Sequence, residues 1–287
     1  MAYVILSDAA CDLEPGIIKQ ENLSFLPMDY TWGMETLSHS PGAPLQSLKA
    51  FYDGLRKGNL AKTTQISPQQ YEAAMRPWLD NGYSVLYLAL SGGLSSTCQT
   101  ARRISDQLLE NYPEQKIIVL DTKAATGGMG ILVERAVRNR ASGMEITENA
   151  LDLTDAIQHL YLWFMVPDLM YLLRGGRVST AAAAAGTVLH LRPLLRIDPD
   201  GYLKTIGKAH GEHKSIRELL EYYEKYRLDE SADPVYVIDA DAPEIGDQIQ
   251  KKLISLYPGI IVRRCPLSPI IGAHTGPGMA AIIHIGK

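Results

Sequence analysis

Short unbroken apolar runs alternate with longer stretches of helical spacing along the first half of this chain. Tyr3–Leu6, Val85–Leu90 and Ile117–Leu120 are apolar throughout and end in Ser7-Asp8, Ser91-Gly92-Gly93 and Asp121-Thr122. Such runs signal strands buried on both faces. Between them lie helical patterns at about 14–21, with Pro15 near the first turn, and at about 45–57, with Leu48, Phe51, Tyr52 and Leu55 on one side. The next helix opens at Ser67-Pro68, where Gln70 completes a Ser-x-x-Gln capping box. One helix runs from the Ser91–Ser96 loop to about 111, and another begins after Gly127-Gly128. Ser24–Tyr30 reads as a single further strand. Strands alternating with helices predict an α/β fold with a mostly parallel, doubly wound sheet.

The second half is less regular. It predicts a helix at about 147–160, a strand Tyr161–Val166, a short helix Pro167–Leu173 and a break at Gly175-Gly176. Arg192–Ile197 and Tyr202–Gly207 read as a hairpin around Asp198-Pro199-Asp200-Gly201. A charged amphipathic helix at about 212–226, strands Val235–Ala240 and Ile260–Cys265 flanking a helix to Leu256, and a last strand Met279–Ile285 complete the chain. The change of pattern predicts two α/β domains, 1–155 and 156–287. The second carries a mixed or antiparallel sheet, and the last strand is able to return to the interface.

Composition narrows the function. The chain has 287 residues, 46% of them hydrophobic and 21% charged, and a net charge of −4. No basic field points to nucleic acid or an anionic membrane. Cys11, Cys98 and Cys265 lie far apart and form no C-x-x-C pair, which argues against a disulfide framework or a thiolate zinc site. The charge at Asp8 arrives too early for a signal peptide, and no apolar stretch reaches the ~18 residues that span a bilayer. These features predict a soluble, cytoplasmic protein with no stable membrane insertion.

Candidate chemistry gathers in the loops. In open α/β sheets, ligands bind beyond the carboxyl ends of the strands, where Ser7-Asp8, Ser91-Gly92-Gly93 and Asp121-Thr122 are expected. The Ser91 loop offers a hydroxyl, backbone N–H groups and a helix start, so it is either an anion site or an ordinary strand-to-helix turn. Thr63-Thr64-Gln65 is a second hydroxyl cluster or a plain polar loop. His274 stands in a tight Gly-Pro-Gly loop, with a structural or a functional role open to it. Arg174 and Arg177 bracket Gly175-Gly176, with Arg192 and Arg196 downstream. They could bind phosphate, dock an acidic partner or, as the default, pair with internal carboxylates. Gly127-Gly128-Met129-Gly130 does not complete G-x-G-x-x-G, and no phosphate-loop, H-E-x-x-H or G-x-S-x-G motif occurs, so no cofactor or metal is expected. Ser91 as nucleophile with His274 as base and Asp8 as orienter remains an alternative, a phosphotransfer or hydrolase enzyme.

Taken in order, five segments resemble the DegV family of bacterial fatty-acid-binding proteins. They are Ser7-Asp8-Ala9-Ala10-Cys11-Asp12-Leu13, Thr63-Thr64-Gln65-Ile66-Ser67-Pro68, Ser91-Gly92-Gly93-Leu94-Ser95-Ser96-Thr97, Leu173-Arg174-Gly175-Gly176-Arg177-Val178 and Gly272–Gly278. The resemblance implies a long-chain fatty acid buried between two α/β domains. Its carboxylate would be held by Thr63, Thr64 and Ser91, by the loop at Gly92 and Gly93, and by His274. It implies no catalysis by the chain itself: a separate ATP-using fatty acid kinase subunit phosphorylates the presented acid, and the acyl phosphate enters phospholipid synthesis. Arg177 would support the site and His210 would lie on a docking face, where the family commonly has arginine. Small or flexible apolar residues in the second half suit a long tunnel: Leu169, Met170, Leu173, Ala182 within the run Ala181–Ala185, Val188 and Leu189. Ordinary helix core is the other reading of them. The chain departs from the family pattern where Gly92 replaces a serine, Ser96 a glycine and Ile66 a proline.

Overall fold

The computed structural model describes residues 2–20, 23–42, 45–180 and 191–287. In chain order the strands of the first half are β1 (Tyr3–Asp8), β2 (Ser24–Leu26), β3 (Met28–Trp32), β4 (Glu35–His39), β5 (Ala61–Thr63), β6 (Ser84–Ala89) and β7 (Ile117–Asp121). All three apolar runs form strands, but β7, at the edge of its sheet, is only partly buried. β1 and β6 are buried along their whole length, and a four-stranded sheet orders β2-β1-β6-β7 with every neighbour parallel. Its helices are α1 (Pro15–Gln20), α2 (Leu45–Arg56), α3 (Pro68–Asp80), α4 (Thr97–Leu109), α5 (Gly127–Ala141) and α6 (Ile146–Gln158). The capping box at the start of α3 is formed: the Gln70 N–H donates to Ser67 Oγ at 3.2 Å, and the Ser67 N–H donates to Gln70 Oε1 at 2.8 Å.

The expected single strand at 24–30 is two strands in two sheets. Pro27, which has no N–H for a ladder, separates them. β2 pairs with β1, whereas β3 passes into a small antiparallel sheet of order β4-β3-β5. β4 is mostly exposed and β5 is three residues long, so neither shows the apolar alternation that marks a strand.

The second half provides β8 (Leu160–Met165), α7 (Met170–Arg174), β9 (Leu191–Ile197), β10 (Leu203–His210), α8 (Glu212–Tyr226), β11 (Val235–Asp239), α9 (Pro243–Leu256), β12 (Val262–Pro266), α10 (Pro269–Thr275) and β13 (Ala280–Ile285). The six-stranded sheet orders β10-β9-β8-β13-β11-β12, with β11–β12 parallel and the other neighbours antiparallel. Side chains alternate across it. Leu162, Phe164, Ala281 and Ile283 join a cluster that also holds Leu6, Leu86 and Leu132 from the first half, while Trp163, Met165 and Ile282 pack with Leu219 and Leu253 of α8 and α9. One face of this sheet is therefore turned toward the first half of the chain.

α10 is a correction to the expected loop around His274. Ser268-Pro269 starts a short helix, and Gly276 at φ 73° stops it, so His274 lies in the last helical turn. Among the described residues, no helix is long and apolar enough to cross a membrane.

Candidate functional site

A cavity of about 410 Å³ lies where the two halves meet, within the roughly 300–1,000 Å³ of small-molecule sites. Leu162 and Phe164 of β8, Leu203 of β10, Leu172 of α7 and Ile270 and Ile271 of α10 contribute apolar wall, and Met28, Leu90 and Leu94 close it from the first half. Its polar residues include two hydrogen-bonded pairs, Thr63 with His274 and Gln65 with Ser96.

Thr63 ends β5, and the Thr64 N–H donates to Asp29 O at 2.8 Å, fixing the chain at that point. Thr63 Oγ1 lies 2.8 Å from His274 Nε2. Burial, with a smaller contribution from the nearby Arg177 cation, depresses the His274 pKa to about 4, so the ring is neutral at physiological pH. A neutral imidazole carries one donor and one acceptor. His274 Nδ1 is buried without a hydrogen-bond partner among the described residues. With the proton on Nε2, His274 donates to Thr63 Oγ1, and the threonine O–H is left free to donate to a ligand. The ring can sit where it does only because residue 175 is glycine: a Cβ there would lie 2.3 Å from Nδ1.

Arg177 completes this wall. Its Nε donates to Leu94 O at 3.2 Å and a terminal nitrogen donates to Gly175 O. Burial lowers its pKa, and among the described residues no carboxylate pairs with it. The default reading of an internal ion pair thus does not hold for Arg177. Ser96 Oγ donates to Gln65 Oε1, and Ser95 Oγ lies 2.8 Å from Thr97 Oγ1. The cavity wall therefore presents neutral hydroxyls and, among the described residues, one guanidinium without a carboxylate partner.

Thr63, Thr64, His274 and Arg177 all line the cavity; Ser91, Gly92 and Gly93 do not. Ser91 is fully buried, and its Oγ donates to Gly201 O at 2.8 Å while accepting from the Gly93 N–H at 3.3 Å. The Gly92 N–H donates to Asp121 Oδ1, and a Cβ at Gly93 would lie 2.4 Å from Gly201 O. Lys123 Nζ donates to Asp200 O at 3.3 Å. The glycine loop seats the tip of the β9–β10 hairpin, and none of its three residues lines the cavity. Leu94, Ser95 and Ser96, the next residues along, face the cavity instead. The alternative triad is not assembled either. His274 is paired with Thr63, the Ser91 hydroxyl is committed to Gly201, and Asp8 accepts from Tyr87 Oη, the Leu90 N–H and the Ala10 N–H.

Three expected tunnel residues fall at α7, but the cavity is lined there by Leu172 and not by Leu169, Met170 or Leu173. Ala182, Val188 and Leu189 lie outside the described residues. His210, at the exposed end of β10, does not line the cavity. Thr126 was not anticipated. It lines the cavity just before α5 at φ 49°, a strained value for a β-branched residue, and its hydroxyl bonds Asp12 Oδ2. Burial raises Asp12 to a pKa of about 7, although its other oxygen accepts from the Ser268 N–H at 3.1 Å. A threonine before Gly-Gly reads in sequence as a helix start only.

A model of the DegV family, described as uncharacterised proteins, matches residues 2–287. The DegV domain-containing protein YteA of Lactococcus lactis is 37% identical over 287 residues, covering all of this chain and 99% of the relative. Among solved structures, a Thermus thermophilus DegV family protein described by its fatty acid binding is 25% identical with a TM-score of 0.86, and each chain is wholly covered. The Streptococcus pneumoniae fatty acid kinase B3 protein, loaded with linoleic acid, has the same TM-score and full coverage at 19% identity, a likeness of fold.

Proposed function

The chain belongs to the DegV family, and from that premise we propose that it binds one long-chain fatty acid in the cavity between its two halves and presents the carboxylate to a separate ATP-using kinase. One observation carries this reading: a largely apolar cavity whose wall includes the hydrogen-bonded Thr63–His274 pair and the Arg177 guanidinium. Each methylene taken from water contributes ~0.8 kcal/mol, so a sixteen-carbon chain offers about 12 kcal/mol before several are lost to immobilisation. A buried carboxylate needs donors. Thr63 supplies a hydroxyl whose proton is free when His274 donates, and Thr64, Ser95 and Ser96 stand beside it. Arg177 adds a cation tied to two carbonyls rather than clamped across the ligand. Such a grip holds the carboxylate through neutral groups and leaves its oxygens reactive toward a phosphoryl donor.

On this reading the chain carries the acid and the partner performs the chemistry, with the acyl phosphate passing on to phospholipid synthesis. Extraction of the protein purified from a bacterial host, followed by mass spectrometry, is expected to release fatty acid at about one molecule per chain. Protein that is empty and also fails to bind palmitate or oleate would refute the proposal.

A further inference from the structure

Four residues of α10 line the cavity, Ile270, Ile271, His274 and Thr275, and this spacing puts them on one face of the helix. The cavity therefore runs along α10, with the Thr63–His274 pair at the C-terminal end. Thr126 marks the other end. Asp12 Oδ1 accepts from the N–H of Ser268, the N-cap of α10, at 3.1 Å, and Asp12 Oδ2 accepts from the Thr126 hydroxyl. A single carboxylate thus ties Thr126 to the start of the helix. From Ser268 to His274 the helix advances about 9 Å, at roughly 1.5 Å per residue.

Among the described residues, the other polar groups of the wall come from residues 63–65, from Ser95 and Ser96, from Arg177 and from the last turn of α10. Thr126 stands apart from them, beside the apolar Ala125. Valine would give an all-alkyl wall the same volume, whereas threonine buries an oxygen there. A threonine hydroxyl has one donor and two acceptor lone pairs. Its proton goes to Asp12, and among the described residues no group donates to Oγ1 in return. The bond to a carboxylate polarises that oxygen and makes it a better acceptor. The placement is imposed on the backbone: Thr126 keeps φ 49° while its N–H donates to Ala10 O at 2.8 Å. A plain alkyl chain offers nothing to this oxygen, and a hydroxyl on the chain does.

We propose that Thr126, oriented by Asp12, is a specificity-determining residue that accepts a hydrogen bond from a hydroxyl near the middle of the acyl chain, so that the cavity takes mid-chain hydroxylated fatty acids as well as plain ones. This rests on the fatty-acid reading above. An extended chain advances about 1.2 Å per bond, so a point about 9 Å from the carboxylate falls near carbon 8.

The test measures displacement of a fluorescent fatty acid from the full chain by palmitate and by its 5-, 8- and 12-hydroxy derivatives. A hydroxyl buried without a partner costs about tenfold or more in affinity. The 5- and 12-hydroxy acids are therefore expected to bind roughly tenfold more weakly than palmitate, and 8-hydroxypalmitate within about threefold of it. The ratio of 8-hydroxypalmitate to palmitate affinity should fall roughly tenfold in Thr126→Val and be kept in Thr126→Ser. Any general loss from disturbed packing cancels in that ratio. A preference for carbon 8 that survives Thr126→Val would overturn the role given to Thr126. In the unsubstituted protein, no dependence on hydroxyl position, or an optimum at carbon 5 or 12, would overturn the proposal without any variant. Palmitate failing to bind the unsubstituted protein would instead remove the fatty-acid reading, and this inference with it.

Discussion

Replacing Gly175 by alanine sets two physical effects against each other with opposite signs. Gly175 has φ −73° and ψ −10°, an ordinary right-handed conformation, so alanine carries no backbone penalty there. Judged by the chain alone, the substitution should stabilise by about 0.4–1 kcal/mol through the unfolded state. The tertiary contact says otherwise. The new Cβ would lie 2.3 Å from His274 Nδ1 and 3.3 Å from its Cγ and Cε1, whereas ordinary contact begins at 3.4 Å. The ring would have to retreat by about 1 Å to restore ordinary contact. A shift of that size stretches the 2.8 Å bond between Thr63 Oγ1 and His274 Nε2 past hydrogen-bonding range. Overpacking costs about 1–3 kcal/mol and the lost bond about 1 more. We therefore expect Gly175→Ala to lower stability by about 1–3 kcal/mol net, read as a fall in Tm of several degrees, with weaker retention of fatty acid. Thermal melts of the ligand-free protein and palmitate displacement measure both. A variant as stable as the parent, or more stable, would show that the backbone effect wins and that the imidazole is not held where the structure has it.

Other consequences follow from the same geometry. Thr63→Val removes the hydroxyl and keeps the shape, and should weaken palmitate binding roughly ten- to hundredfold, while Thr63→Ser stays close to the parent; equal affinities for all three would exclude Thr63 from the grip. Ser91→Ala should cost about 1–3 kcal/mol of stability by orphaning the Gly93 N–H and Gly201 carbonyl, with palmitate affinity little changed, as seen by melting and displacement together. Gly92→Ser restores the residue of the family pattern, yet the added Cβ would stand 2.7 Å from Asp121 Oδ2, outside the cavity; no gain in affinity is expected, and a clear gain would count against the seat assigned to this loop. Burial depresses His39, His274 and His284 to about 4. Their unfolded forms take up protons near pH 6.5 and the folded forms do not, so each contributes stability that is lost as pH falls from about 6.5 toward 4. Asp12, raised to about 7, acts in the opposite sense over the same window, so the net expectation from denaturant unfolding is a loss of a few kcal/mol between pH 6.5 and 5. A stability that rises on acidification would reverse the assignment.

What the sequence alone determined about this chain is local. The apolar runs of β1 and β6, the capping box at Ser67, and the Asp198–Gly201 turn each carry their signal within a few residues. The ordered set of five motifs likewise pointed to the family. Tertiary structure alone decided which hydroxyls meet the cavity. Ser91 reads as a ligand because it follows a buried strand and precedes glycines, but the hairpin tip at Gly201, 110 positions away, takes its hydroxyl and covers the loop. Leu172 lines the cavity and Leu169 and Leu173 do not, a choice set by how α7 packs beside α10. Thr126 gave no signal of a site, since its place in the cavity wall depends on the fold and its hydroxyl meets Asp12, 114 positions away. Patterning specifies which face of an element is buried; what that face is buried against depends on packing between distant elements, and there the site is made.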